Sequence, residues 1–285
     1  MIEGKPSRTA MGAAFHRAAH QVLEEGSIFR DPLAVRILGP EAEEAVLQAR
    51  NTPSKARLRL FIAIRSRFAE DAMAAAVQSG ATQVVILGAG LDTCAYRSNL
   101  GPAVRIFEVD HPATQAWKRV KLEDARISVP SSLTFAPVDF EKGTLAGGLS
   151  DAGFDPTRET FFTWLGVVPY LTQEAVISTL RFISGLPAGG HVVFDYGNPP
   201  SPEEEAYSAA HQALSSRVAR IGESIRSHYE SADLHRQLRR SGYRDIEDMG
   251  PLRMRERFFP KAPAAASDRG GHIVRASTLI SPRSA

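Results

Sequence analysis

The sequence predicts an α/β fold built on a mostly parallel sheet, and three observations carry that prediction. The first 80 residues read as helical throughout. From Thr82 onward short apolar runs alternate with helical stretches, the rhythm of strand–helix–strand units whose sheet is covered on both faces. A glycine turn, Gly88-Ala89-Gly90, follows directly on the first of those runs.

Taken in order, a short helix covers residues 8–25. Asp31 starts a second, with Pro32 at the first helical position, where the missing amide proton costs nothing. Residues 54–78 form a third, because Leu58, Phe61, Ile62, Phe68, Ala69, Ala72, Met73 and Ala76 recur at helical spacing. Strands are expected at 83–87 and 104–109, followed by a helix at 113–126, and then at 133–138 and 160–165. A helix at 172–185 leads into a fifth strand at 191–196. Residues 243–248 and 273–280 complete seven strands as a closing antiparallel pair.

Residues 198–235 break this rhythm. Pro199, Pro200 and Pro202 precede an acidic triplet and a helical stretch of little apolar character, which reads as a helical lid inserted over the C-terminal edge of the sheet. The expected organisation is an N-terminal helical cap at 1–80 and a core at 81–285 that carries the lid. Residues 262–271, rich in Ala and Gly, read as a mobile loop.

Composition narrows the function classes. Lys plus Arg (34) barely exceeds Asp plus Glu (32), for a formal net charge of +2, so nucleic acid is not an expected partner. The cluster Arg236, Arg239 and Arg240 reads as a solvated helix face. Cys94 is the only cysteine, which leaves no intrachain disulfide and no cysteine-based zinc site and fits a reducing cytoplasm. No run approaches the roughly 18 consecutive apolar residues of a membrane span, and the first ten residues lack the apolar stretch of a secretory signal.

The residues that carry chemistry cluster after the first two strands. Gly88 and Gly90 let the backbone turn tightly and let a ligand approach it. Thr93 occupies the place of the third glycine of a dinucleotide fingerprint, which tilts the reading toward a ligand without a pyrophosphate. About 20 residues on, Glu108 and Asp110 share one face of the second strand, and either could accept hydrogen bonds from ribose hydroxyls. Asp139 and Phe140, after the third strand, either hold an adenine or simply end the strand. On the helix at 54–78, positions 58, 62, 65, 69, 72 and 76 form one stripe in which only Arg65 is not apolar. A buried guanidinium there needs an anion, either a structural acid such as Asp92 or the carboxylate of a bound ligand.

The runs Arg8-Thr9-Ala10, Phe29-Arg30-Asp31-Pro32-Leu33-Ala34, Leu87-Gly88-Ala89-Gly90-Leu91-Asp92-Thr93, Tyr96-Arg97, Phe107-Glu108-Val109-Asp110-His111-Pro112 and Gly166-Val167-Val168-Pro169-Tyr170-Leu171-Thr172 together resemble the leucine carboxyl methyltransferase family. The likeness is to its bacterial branch, which includes the tetracenomycin-type polyketide carboxyl methyltransferases, and it covers roughly residues 8–196. What it implies is a class I, Rossmann-like methyltransferase fold binding S-adenosylmethionine. By position, Arg65 would grip the methionine carboxylate, Gly88 would line the methionine part beside Gly90, Asp110 would bind the ribose, and Asp139 with Phe140 the adenine. Eukaryotic members carry a glutamate just before the Gly-Val pair of the fourth-strand motif. Here that position is Leu165, so inheritance of their protein-carboxyl substrate does not follow.

The expected reaction is O-methylation of a small-molecule acid, since a carboxylate is already ionised and needs no base; phenol or alcohol methylation, which needs one, comes second. None of the eight histidines has a spacing that marks it as a base, and the sequence names no catalytic residue. His111 is either the nearest base or a cap at the strand end. Tyr170 either orients the acceptor or packs in the core, and Cys94 packs rather than attacks. Rival readings are a nicotinamide-dependent oxidoreductase using the same glycine turn, or a binding protein without turnover. The oligomeric state is left open by the sequence.

Overall fold

The computed structural model describes residues 7–140, 142–201, 208–209, 212–213, 215–216, 224–261 and 267–279. The chain divides into two compact units, Met1–Phe154 and Asp155–Ala285. Residues 202–207, 210–211, 214 and 217–223 of the expected lid at 198–235, residues 262–266 of the expected loop and the end of the last expected strand at Ile280 lie outside the described residues. Among the described residues no helix is long and apolar enough to cross a membrane.

The first unit opens with four helices, α1 (Arg8–Leu23), α2 (Ala34–Leu38), α3 (Glu41–Asn51) and α4 (Ala56–Gln78). Ser7 caps α1 by accepting the Ala10 amide. Ala14 and Ala18 of α1 pack with Leu33, Ile37, Leu38 and Ala42, and the same cluster includes Leu91 of the glycine turn and Leu122. The helical segment is therefore bound to the turn by apolar burial.

Three parallel strands follow, β1 (Gln83–Leu87), β2 (Arg105–Asp110) and β3 (Leu133–Pro137), in the order β3-β2-β1. All five residues of β1 are buried, as in a parallel sheet covered on both faces. The register sets Leu87 beside Val109 and Asp110 beside Pro137, so the strands run out together. The helix that follows the glycine turn, α5 (Cys94–Arg97), is only four residues long, because its chain enters Ser98-Asn99-Leu100-Gly101-Pro102. A longer helix opens after β2, as α6 (Pro112–Asp124), where a helix at 113–126 was expected.

The second unit contains β4 (Thr160–Trp164), a 3₁₀ turn (Val168–Tyr170), α8 (Gln173–Ser184) and β5 (Gly190–Gly197), with α7 (Leu145–Asp151) preceding it in the first unit. It then continues through α9 (Ser231–Arg240), β6 (Asp245–Met249), α10 (Pro251–Phe258) and β7 (Gly271–Ser277). β4 and β5 are parallel, and β7 runs antiparallel to both β5 and β6, giving the order β4-β5-β7-β6. The seven strands are mostly parallel and flanked by helices, as the sequence predicts, and β6 and β7 form the expected closing antiparallel pair.

One polar cluster ties the last three strands together. Asp248 of β6 accepts from Tyr196 of β5 (Oη to Oδ2, 2.6 Å), from His235 of α9 (Nε2 to Oδ2, 2.7 Å) and from His272 of β7 (Nδ1 to Oδ1, 2.9 Å). His272 Nε2 lies 2.9 Å from the Asp268 carbonyl, so both ring nitrogens donate and the ring is an imidazolium. Burial pulls the His272 ring toward neutrality, and Asp248 with the Asp268 carbonyl more than reverses it, leaving its pKa above the ordinary value.

Candidate functional site

The site begins where β1 and β2 end. Gly88 and Gly90 both sit at positive φ, +65° and +44°, which L side chains adopt at a cost. At Gly90 a β-carbon would also lie 2.9 Å from Ala10 Cβ of α1. The amides of Gly88 and Ala89 donate to the Val109 carbonyl at 2.8 and 3.2 Å, fastening the turn to β2. Asp110 completes the clamp: Oδ2 accepts the Gly90 amide at 2.6 Å and Oδ1 the His111 amide at 2.7 Å. Burial pushes this carboxyl up against the pull of those two amides. Each oxygen keeps a further lone pair, so the same carboxylate can accept two hydroxyls of a ribose.

The structure separates the two acids that the strand pattern left equivalent. Glu108 is fully buried, with Lys118 Nζ at 2.7 Å from Oε1 and Tyr96 Oη at 3.2 Å from Oε2. Burial pushes its carboxyl up to about 7 while Lys118 and Tyr96 pull it down. Glu108 is therefore committed to the interior, and Asp110, half-buried at the strand end, is the acid open to a ligand.

Beyond β3, the Val138 amide donates to the Asp110 carbonyl at 2.9 Å, which brings Asp139 and Phe140 to the same edge. Asp139 Oδ2 pairs with Lys142 at 3.1 Å, and Phe140 is 61% exposed, a large aromatic face held in solvent. Gly88, Gly90, Asp110, Asp139 and Phe140 thus share the carboxyl ends of three adjacent strands, where open α/β sheets take ligands.

Arg65 requires a correction. It is half-buried, and its guanidinium carbon stands 6.0 Å from the Phe61 ring centroid. The buried residues of α4 are Arg59, Ile62, Ala63, Ile64, Ser66, Phe68, Ala69, Met73 and Ala76, so Ile62, Ala69 and Ala76 of the expected stripe are buried while Leu58, Arg65 and Ala72 are half-buried. Arg59, not Arg65, is the buried guanidinium of α4, and it grips Glu24 just beyond α1 at 2.5–3.0 Å. Asp92 answers the Cys94 amide at 2.7 Å. Burial raises its carboxyl, and Arg17, Lys118 and Arg97 more than reverse this, holding it below the ordinary carboxylate range.

Sequence reasoning missed what fixes the turn in space. Asp31, fully buried, accepts from Arg17 Nε (3.3 Å), Thr93 Oγ1 (2.7 Å) and the Leu33 amide (3.1 Å), with Arg97 Nε at 3.4 Å. Arg17 also donates to the Leu91 carbonyl at 2.5 Å, and Arg97 pairs with Glu70 of α4 while lying 4.8 Å from the Phe29 ring centroid. The Phe29–Ala34 run is thus a brace between α1 and the residues just after Gly90. A signal for it existed, since Arg17 shares a helical face with Ala14 and Ala18. His111 is spent as a cap, its Nδ1 accepting the Ala113 amide at 3.2 Å. Cys94 is buried, which pushes its thiol well above the ordinary value and keeps it unreactive.

In the second unit, Tyr170 closes the 3₁₀ turn and is half-buried. Leu165 lies half-buried in the turn after β4, where the Gly166 amide donates to Asp195 Oδ1 at 2.5 Å.

With this geometry in place, the comparisons with known proteins agree with one another. The family described as "Leucine carboxyl methyltransferase" matches residues 10–184. The chain is 31% identical to the "Putative S-adenosyl-L-methionine-dependent methyltransferase YktD" of Bacillus subtilis, over 91% of this chain and 93% of that one. It is 35% identical to a protein of the same description from Frankia alni, over 64% and 65% of the two chains. Among solved structures it resembles a putative methyltransferase from Thermobifida fusca (TM-score 0.54, 18% identity, 96% of both chains). A DUF574-family protein from Streptomyces avermitilis is similar in fold (TM-score 0.56, 16% identity, 93% and 97%).

Proposed function

Since the chain belongs to the leucine carboxyl methyltransferase family and is an S-adenosylmethionine-dependent methyltransferase, we propose that it methylates a carboxylate oxygen of a small-molecule acid. The observation that carries the cofactor assignment is the Asp110 clamp. A carboxylate fixed to the glycine turn by the Gly90 amide, with lone pairs to spare, suits the paired hydroxyls of a ribose. The donor set around it fits the rest of the nucleoside. The positive-φ glycines leave room for a chain to pass close to backbone, and the exposed Phe140 ring beside Asp139 offers an apolar face and an acceptor to adenine. The four-residue α5 is a poor cradle for a pyrophosphate, which needs a helix N-terminus of some length. Arg65, half-buried, is assigned to the methionine carboxylate, which a guanidinium can grip with two parallel hydrogen bonds.

Bound S-adenosylmethionine supplies a sulfonium methyl whose carbon–sulfur bonding pair leaves with the thioether sulfur. The protein's task is to place the acceptor oxygen in line with that methyl and to keep water out. A carboxylate brings its own lone pair and releases no proton. The preference for it rests on His111, the imidazole beside Asp110, being engaged as the cap of α6. Tyr170 is assigned to the acceptor side.

Titration calorimetry with S-adenosylmethionine, its demethylated product and NAD tests the cofactor assignment. Micromolar or tighter binding of the first two is expected, and binding of NAD alone would overturn it. Transfer of a labelled methyl to a panel of carboxylic acids and phenols tests the acceptor. A product that releases its label as methanol in base is an ester, and a base-stable product would replace the carboxylate by a phenol.

A further inference from the structure

Around Asp92, in the first unit, three cations each face a carboxylate of their own. Arg17 Nε lies 3.3 Å from Asp31 Oδ2, Arg97 Nη1 2.7 Å from Glu70 Oε2, and Lys118 Nζ 2.7 Å from Glu108 Oε1. Asp92 is the acid left over. Its Oδ1 accepts the Cys94 amide at 2.7 Å, and among the described residues no side-chain cation lies within ion-pair range of it. Burial raises its carboxyl, yet Arg17, Lys118 and Arg97 more than reverse this from farther away, so Asp92 is charged at working pH. The bond to Cys94 does not require that charge, since a neutral amide oxygen would accept it as well.

Asp92 also belongs to the glycine turn itself. It is half-buried, stands two positions beyond Gly90, and its amide donates to the Ala89 carbonyl at 2.7 Å. An ionised carboxylate withdrawn from water without a cation of its own is costly, and one kept at this turn points to a cation that arrives with a ligand. S-Adenosylmethionine brings two. Its sulfonium has no N–H to donate, whereas the α-ammonium of its methionine part can make a charge-assisted hydrogen bond. We propose that Asp92 is a cofactor-binding residue, whose carboxylate accepts a hydrogen bond from that ammonium group beside Gly88 and Gly90. No proton changes hands. The inference rests on the cofactor reading above and deepens it: Arg65 is assigned to the carboxylate of the methionine part, and Asp92 reads its amine.

Two ligands and one variant test it by calorimetry on the full chain. The ligands are S-adenosylhomocysteine and its deaminated analogue, in which hydrogen replaces the amino group. The wild type should bind the amine-bearing ligand roughly 10- to 100-fold more tightly, the worth of a hydrogen bond between charged groups. Asp92→Asn keeps an oxygen for the Cys94 amide and removes the charge. It should weaken S-adenosylhomocysteine alone and erase most of the difference between the two ligands. A wild type that binds both alike overturns the proposal, and so does a variant that discriminates as well as the wild type. A wild type that binds neither defeats the cofactor reading instead. The melting temperature of the unliganded protein supplies a second readout. Loss of a charge that lacks its own cation should leave it unchanged or raise it, whereas a fall of several degrees would make Asp92 a structural counter-ion and overturn the proposal.

Discussion

Asp31 in the first unit and Asp248 in the second are both carboxylates gathered under several donors, yet the donors differ in kind. Asp31 is held by Arg17, Arg97, the Thr93 hydroxyl and the Leu33 amide. Asp248 is held by His235, His272 and the Tyr196 hydroxyl. Guanidinium stays charged at any working pH, while imidazole titrates near neutrality. The partners of Asp31 at the glycine turn are thus fixed charges and neutral donors, whereas the lock on the antiparallel strands includes His272, whose raised pKa makes its hold on Asp248 depend on pH. The difference also separates roles: Asp31 fixes the turn at Gly88–Gly90 through charge, and Asp248 fixes three strands to one another.

The sharpest way to break this comparison is to remove Asp31. Asp31→Ala leaves Arg17 buried without its carboxylate, and breaking a buried pair from one side costs roughly 3–5 kcal/mol. Urea unfolding should show a loss of that size, and a loss under about 1 kcal/mol, the worth of a surface pair, would mean that the brace is ornamental. Next in size is Arg65→Ala. Its half-burial sets the expected loss of S-adenosylmethionine affinity at roughly 2–3 kcal/mol, the low end for a truncated charge pair. Calorimetry that returned the wild-type affinity would remove Arg65 from the site.

The pH contrast comes third. The folded pKa of His272 is raised, so its contribution is complete below its unfolded value near 6.5 and fades as pH climbs through the folded value. Burial raises the Asp248 carboxyl, but His272, Tyr196 and His235 hold it below 3.8, so its contribution persists above that value and is lost in acid. His272→Gln should therefore cost on the order of 2 kcal/mol at about pH 5.5 and clearly less at about pH 9. Equal costs at both would show that the imidazolium is not what Asp248 needs. The smallest effect is expected at Phe140. Phe140→Ala should weaken cofactor binding by about 1 kcal/mol, as for loss of a base-stacking ring. An exposed side chain should leave the unfolding midpoint where it was, and a shifted midpoint would assign the ring to packing instead.

The parts of the site that were legible in the sequence are those whose meaning lies in local spacing. Gly88, Gly90 and Asp110 were readable because a glycine turn after one strand and an acid ending the next are fixed by strand length and turn geometry. Arg65 was only partly readable. Helical periodicity places a residue to within about one position of a face, and one position separates Arg65 from the buried stripe that contains Arg59 and Ser66.

Seven strands, their mostly parallel sense, the closing antiparallel pair and the clustering of the candidate site residues follow from the sequence alone, because alternation, burial pattern and turn residues are local properties of the chain. Which of Glu108 and Asp110 stays half-open at the strand end was decided in three dimensions, when Lys118 of α6 and Tyr96 closed over the other. The same holds for the buried carboxylate of Asp31, whose partners Arg17 and Thr93 lie 14 and 62 positions away in the chain. Whether a polar group is satisfied depends on residues distant in sequence that folding brings within about 3 Å of it, the reach of a hydrogen bond, and no spacing along the chain records that.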